Sequence, residues 1–154
     1  MPDLLVNLLK LPDWNVDEKA GYTIRRAQPF ELTIVRKFIE RNFSVTWADE
    51  VSVGMANKPV SVYIAVIDSQ VVGFSAYECT RRGFFGPTGV SETQRGKGIG
   101  KSLLLAGLHG LLELGYVYGV IAGAGPVRFY QRTVGAIVIP DSEPGIYSSP
   151  LRLS

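Results

Sequence analysis

Gln94-Arg95-Gly96-Lys97-Gly98-Ile99-Gly100-Lys101-Ser102 sets three glycines among three cations, directly ahead of an apolar run that begins at Leu103. Residues of these types at this spacing bind anions. The first backbone amides of a helix have no partner inside it, and they point outward with the positive end of the helix dipole. Glycine lets an oxyanion approach that main chain closely, and Arg95, Lys97 and Lys101 surround it with positive charge. Two other phosphate loops do not fit the letters. A Walker loop ending at Gly100-Lys101-Ser102 needs a glycine where Arg95 stands, and a dinucleotide fingerprint needs one at Lys101 or Leu103, depending on register. The plain alternative is a solvated surface turn, in which three glycines serve no purpose.

Other side chains could move protons. In a helix opening at Pro126, Tyr130 shares a face with Val127 and Val134 and is directed at the sheet. A phenol with an ordinary pKa of about 10 keeps its proton at neutral pH, as a general acid must, although a tyrosine at this spacing also suits a core. Glu78, late in a strand, is the candidate general base, with Glu92 in a loop as the lesser one. Trp47, Asp49 and Glu50 could receive a cationic amine, and Pro144-Gly145-Ile146-Tyr147 could join them. Asp49 and Glu50 could equally complement a helix N-terminus. His109 lies in an apolar helix with no Ser, Cys or carboxylate in register and reads as a packed histidine. The single cysteine, Cys79, excludes a disulfide framework and a multi-cysteine metal site, and on its own it is a small hydrophobe. No metal site is expected.

The elements that must position these groups follow from periodicity. Tyr22–Arg26 reads as a strand, Pro29–Arg41 as a helix, and a second helix starts near Thr46 on a capping-box spelling and ends before Pro59. Val62–Ile67, Val71–Cys79 and Phe84–Val90 form a three-strand meander. Then come a helix over Gly98–Leu114, a strand over Tyr116–Ala122, a short helix over Pro126–Val134 and a strand over Ala136–Ile139. The strand, helix, strand succession is a crossover that places two strands parallel, with a ligand crevice at their carboxyl ends.

Within this order, Arg95-x-x-Gly98-x-Gly100, preceded by Gly89-Val90 and followed by an apolar helix, resembles motif A of the GNAT N-acetyltransferase superfamily. The resemblance runs from about Tyr22 to Tyr147, and Phe85-Gly86-Pro87-Thr88-Gly89-Val90, Gly123-Ala124-Gly125-Pro126 and Phe129-Tyr130 are similar to bacterial members. It implies an α/β (α+β) fold: a mixed, mostly antiparallel sheet of six to seven strands, its central parallel strands splayed, with helices on both faces. It also implies acetyl-coenzyme A as co-substrate, its pyrophosphate held at Gln94, Arg95, Gly96, Lys97, Gly98, Ile99, Gly100 and Lys101. A main-chain N–H of Gly89 or Val90 would meet the acetyl oxygen, and Tyr130 would protonate the departing thiolate. The reaction implied is direct transfer to a primary amine of a small molecule, or less readily of a peptide. The asparagine that many members carry after the fifth strand is replaced here by Gly123–Gly125. A catalytically silent coenzyme A sensor or an interaction module is the alternative from another class.

Length and composition agree with one domain. The 154 residues are 46% hydrophobic and 19% charged, outside the disordered range, and a net charge of +2 is too weak for a nucleic-acid footprint. We divide the chain into an N-terminal helical extension, residues 1–20, packed on a domain of residues 21–154. Its apolar leucines also suit a homodimer. Leu103–Gly125 approaches membrane-span length but breaks at Glu113-Leu114-Gly115, so no membrane partner is expected and a cytoplasmic address is the simplest.

Overall fold

The computed structural model describes all 154 residues. Its elements are β1 (Leu4–Asn7), β2 (Thr23–Arg26), α1 (Leu32–Asn42), α2 (Val45–Ala56), β3 (Val62–Ile67), β4 (Gln70–Tyr77), β5 (Phe84–Val90), α3 (Ile99–Glu113), β6 (Tyr118–Ile121), α4 (Val127–Val134) and β7 (Ile137–Val138). One seven-stranded sheet runs β2-β3-β4-β5-β6-β1-β7. Every neighbouring pair is antiparallel except β5 and β6.

The central strands are buried on both faces, so they read as unbroken apolar runs such as Val62-Tyr63-Ile64-Ala65. Alternate residues then serve opposite cores. Val62, Ile64, Phe74 and Ala76 pack with Val35, Ile39, Ala48 and Val51 of α1 and α2. Tyr63, Ala65 and Tyr77 pack on the other face with Leu103, Leu104, Leu108 and Leu111 of α3. Helix α3 lies close because it offers glycines where the sheet offers rings. A Cβ at Gly107 would stand 2.5 Å from the Phe85 ring, and one at Gly110 would meet the Tyr77 ring. Truncating a fully buried leucine of this layer, such as Leu103, to alanine costs about 2–5 kcal/mol.

Two expectations need correcting. The N-terminal segment is not a helical extension. Leu4, Val6 and Leu8 are fully buried with less buried residues between them, which is a period of two, and β1 inserts between β6 and β7 as part of the sheet. The run of leucines concealed this alternation, because Leu5 and Leu9 fill the intervening positions. The cap of α2 is Ser44, whose hydroxyl accepts from the Trp47 amide at 3.1 Å, and Thr46 already lies in the helix.

The parallel pair is short. Only Phe84 opposite Val120 and Phe85 opposite Ile121 are in register, after which β5 runs on without β6. The cause is local. Between the pairs Tyr77–Phe85 and Ser75–Thr88, β5 carries two residues, Gly86 and Pro87, against the single Ala76 of β4. That bulge, with Gly86 at φ +119°, swings β5 away from β6 and opens a fork between them.

Candidate active site

Gly98 is the N-cap of α3 at φ +83°, and Gly96 shares that left-handed conformation, which glycine adopts without strain. The resulting path turns a series of amides outward. Gln94 and Arg95 donate to Ser91 O at 2.9 Å and Glu92 O at 3.4 Å, and Ser102 donates to Gly98 O at 3.1 Å. Between them, the six consecutive amides of Gly96, Lys97, Gly98, Ile99, Gly100 and Lys101 have no acceptor within the chain. The cradle of free amides therefore runs over six of the eight residues expected to hold a diphosphate, Gly96 to Lys101, since Gln94 and Arg95 spend their amides within the chain.

The cations stand around the cradle. The Arg95 guanidinium leans back onto Val90 O at 3.2 Å, and Lys97 Nζ reaches Gln94 Oε1 at 2.5 Å. Below the loop, the Tyr22 and Ser102 hydroxyls meet at 3.0 Å and tie β2 to the first turn of α3. Open space surrounds Gly96, and Tyr22 Oη is the sole neighbour of a Cβ at Gly98, at 3.9 Å.

From the loop, the free edge of β5 leads down to the fork. Ser91 N donates to Val72 O at 2.8 Å, so alternation along the strand turns the Gly89 amide toward β4 as well. The Val90 and Thr88 amides then face the side that β6 leaves open. Of the two residues expected to supply an N–H, Val90 turns its amide to this open side and Gly89 does not. Gly89 serves packing instead, since the Phe43 ring lies where its Cβ would be.

At the base of the fork is a cavity of about 700 Å³ lined by Trp47, Glu50, Thr80, Phe85, Gly86, Pro87, Ala122, Gly123, Pro144 and Tyr147, with Met1 and Glu143 at its rim. Helix α2 supplies Trp47, stacked on Phe43 at 5.3 Å, and Glu50, whose Oε2 accepts from the Thr80 hydroxyl at 3.0 Å. Burial pushes the Tyr147 phenol above its ordinary value, and the Glu50 charge pushes it further in the same direction. No lysine or arginine side chain lines this cavity.

The structure separates Asp49 and Glu78 from these residues. Asp49 lies on the outer side of α2, paired with Arg36 of α1 at 3.0 Å and largely exposed. Adjacent helical positions point about a quarter-turn apart, so Glu50 faces the cavity and Asp49 cannot. Glu78, at φ +58°, accepts a short hydrogen bond from the Gly83 amide and closes the turn between β4 and β5. It faces a different hollow, beside Asn57, Lys58 and Arg82, and does not line the cavity at the base of the fork.

Tyr130 is 6% exposed in the core layer under α3, and burial alone raises its phenol. Its hydroxyl has no hydrogen bond within the chain, yet it is not among sealed polar atoms lacking a partner, so it keeps access to open space. Cys79 is buried, with its thiol pushed up to about 12, which leaves no thiolate for nucleophilic work at neutral pH. His109 Nε2 lies 2.8 Å from Pro12 O and fastens the N-terminal segment onto α3. No group of three or more His, Cys, Asp or Glu gathers as metal ligands, and no helix is long and apolar enough to cross a membrane.

One organising residue escaped the sequence reading. Asp3, at the head of β1, accepts from the Gly123 amide through Oδ1 at 2.9 Å, donates its own amide to Ser142 Oγ at 2.8 Å, and accepts from Ile139 N at 2.9 Å. Beside it, Pro2 O accepts from Ala124 N at 2.9 Å. Asp3 thereby fixes Gly123 on one wall of the cavity and the segment leading to Pro144 and Tyr147 on another. No local spelling announces a residue that acts across 120 positions of sequence.

Comparisons with known proteins agree with this arrangement. Residues 22–136 match the model of the Acetyltransferase (GNAT) family. No curated protein matches the sequence. A GNAT family acetyltransferase from Brucella melitensis, solved in complex with acetyl-CoA, is 26% identical with a TM-score of 0.58, over 72% of this chain and 80% of that one. A GCN5-related N-acetyltransferase from Sphaerobacter thermophilus superposes with a TM-score of 0.68 at 21% identity, over 90% of this chain and 48% of that one. The glucosamine N-acetyltransferase region of a fungal multi-domain β-N-acetylglucosaminidase gives 0.69 at 18% identity, with 90% of this chain covering 19% of that one. The chain thus spans less than half the length of these last two proteins. Its own match extends from Tyr22, just ahead of β2, through the glycine loop and the fork to Ala136, and the chain belongs to the Acetyltransferase (GNAT) family.

Proposed function

We propose that this chain transfers the acetyl group of acetyl-coenzyme A directly to the primary amine of a small molecule. The observation that carries this reading is the row of six partnerless amides from Gly96 to Lys101 at the mouth of a fork whose base opens into a carboxylate-bearing cavity. The amides and the three cations suit the diphosphate of the coenzyme, and the bare edge of β5 suits its extended arm. A thioester supplies an activated carbonyl, so the protein must add charge stabilisation and proton handling.

Each task falls to a named group. The Val90 and Thr88 amides face the open side of β5 and stabilise charge that gathers on the carbonyl oxygen as the carbon–nitrogen bond forms and the carbon–sulfur bond breaks. Glu50, held by Thr80, receives the ammonium and takes over the role expected of Glu78. Tyr130, kept protonated by burial, gives its proton to the departing sulfur. Of the two protons the ammonium sheds, one leaves to solvent by way of Glu50, and the other replaces the one Tyr130 has given up.

The test is an assay of amide product and free thiol across a panel of amines with acetyl-coenzyme A. Equal amounts of both, dependent on enzyme and amine, support transfer. Tight coenzyme binding without product from any amine would instead make the chain a silent sensor.

A further inference from the structure

Resting on that transferase reading, we infer that the acceptor is a primary monoamine carried on an uncharged, apolar and preferably aromatic body. The cavity offers a single anchored cation receptor. The Glu50 carboxylate is half-buried, with Oε2 held by the Thr80 hydroxyl at 3.0 Å and the Tyr147 phenol beside it. Thr80 follows β4 while Glu50 belongs to α2, so this hydrogen bond fixes the carboxylate's direction from two separate parts of the fold.

Around the carboxylate the walls are flat and apolar: Trp47, Phe85, Pro87, Pro144 and the ring of Tyr147. Trp47 cannot easily turn away, since its ring stacks on Phe43 at 5.3 Å and lies edge-on to Phe74 at 6.3 Å. An ammonium beside such rings also gains a cation–π contribution, and an aromatic body buries well against them. The cavity's volume of about 700 Å³ is ample for such a molecule.

The same lining argues against other amine classes. An amino acid or peptide end brings a carboxylate; no Lys or Arg side chain stands in the wall, and the Met1 ammonium at the rim is already paired with Glu143 at 3.0 Å, so that charge would sit desolvated against Glu50. An amino sugar brings hydroxyls that the proline and aromatic walls cannot satisfy. A diamine would place its second ammonium against apolar rings, since the rim carboxylate Glu143 is already paired with the Met1 ammonium.

The decisive pair of probes is 2-phenylethylamine and phenylalanine, which differ by one carboxylate, with glucosamine and putrescine as further arms. Initial rates of thiol release from acetyl-coenzyme A should give 2-phenylethylamine a kcat/KM at least ~100-fold above phenylalanine and glucosamine, in line with about 3 kcal/mol for an unmatched buried group. Glu50→Gln should raise its KM at least ~10-fold, as loss of a charge-assisted contact does, and leave acetyl-coenzyme A affinity intact. Thr80→Val should raise KM less. Comparable or better turnover of phenylalanine, glucosamine or putrescine would overturn the inference, as would a Glu50→Gln enzyme with unchanged KM. Calorimetry of 2-phenylethylamine on the coenzyme-bound protein separates the two layers. Binding without thiol release sinks the transferase reading but upholds the pocket's preference, whereas no binding of the apolar amine alongside turnover of another class sinks the preference alone.

Discussion

Gly96–Lys101 makes its site from six amides of one short stretch of main chain, whereas the cavity beneath the fork draws Trp47, Glu50, Thr80 and Tyr147 from three separate segments. The first region needs no particular side chain, only glycines that permit φ +83° at two positions and a helix that starts where they end. The second is all side chain and exists only after α2, the turn following β4 and the C-terminal segment have packed together. A site of main-chain amides can therefore serve any relative that uses the same coenzyme, while a site of side chains can change its ligand without disturbing the first. Selectivity for the acceptor belongs to the second region.

Substitutions can break or sharpen this division. Tyr130 stands apart from both regions and acts only on the leaving group, so Tyr130→Phe should give the largest effect. We expect kcat to fall ~10²–10⁴-fold, the usual range for loss of a general acid, with coenzyme affinity and Tm unchanged because the hydroxyl has no partner in the fold. Steady-state rates beside calorimetry decide this, and an undiminished kcat removes Tyr130 from the chemistry. Next comes the loop. Gly98→Val forces a β-branched residue into a left-handed conformation, and losing two hydrogen bonds to a charged group, at about 1.5 kcal/mol each, weakens coenzyme binding ~100-fold. A Cβ there meets only the Tyr22 hydroxyl, at an ordinary contact distance of 3.9 Å, so circular dichroism should show the fold retained.

Asp3 gives a smaller, mixed effect because it shapes the cavity without contacting a reacting atom. In Asp3→Ala the Gly123 amide is orphaned at about 1–3 kcal/mol, which lowers Tm, and the cavity walls loosen so that amine KM rises more than coenzyme Kd. Asp3→Asn keeps the accepting oxygen and should restore most of both losses, an outcome that a generic packing defect would not produce. Smallest of all is Asp49→Ala, which removes an exposed pair with Arg36 worth about 0.2–1 kcal/mol and should leave amine KM within about twofold. A large rise in that KM would return Asp49 to the cavity.

Alkali distinguishes the regions differently. Backbone amides do not titrate, but the core beside the cavity does. The Cys79 thiol goes from an ordinary 9.0 to about 12 on burial, and the Tyr63 and Tyr130 phenols are raised by burial too. For groups raised in the folded state, the stabilisation is fully present below the unfolded pKa and is lost as pH climbs toward the folded one. Urea midpoints should therefore hold up to about pH 9 and decline from there toward 12, and Cys79→Ala should flatten the early part of that decline.

The same division explains what the letters could reveal. The anion loop was legible because its determinants are contiguous and conformational: glycine spacing, a helix start and nearby cations. Even there, the letters could not show that Gln94 and Arg95 spend their amides in a preceding turn. Trp47 and Glu50 were found as chemically suitable residues, but Asp49 was found with them, since only the packing of α1 on α2 shows which helix face Arg36 claims. Glu78 looked like a base by position along a strand, yet the turn to Gly83 consumes its carboxylate. Leucines on both faces of β1 hide its period of two, and the pairing of Asp3 with Gly123 leaves no trace in local spelling at all.

Central to this account is a grip on the coenzyme's diphosphate by the partnerless amides at the start of α3. Two-dimensional ¹H–¹⁵N spectra of the labelled protein, titrated with coenzyme A, observe those amides one at a time. The account predicts that Gly96, Lys97, Gly98, Ile99, Gly100 and Lys101 show the largest shifts, downfield in proton frequency, while Gln94 and Arg95 move less. Saturable binding with those six signals unmoved would contradict it.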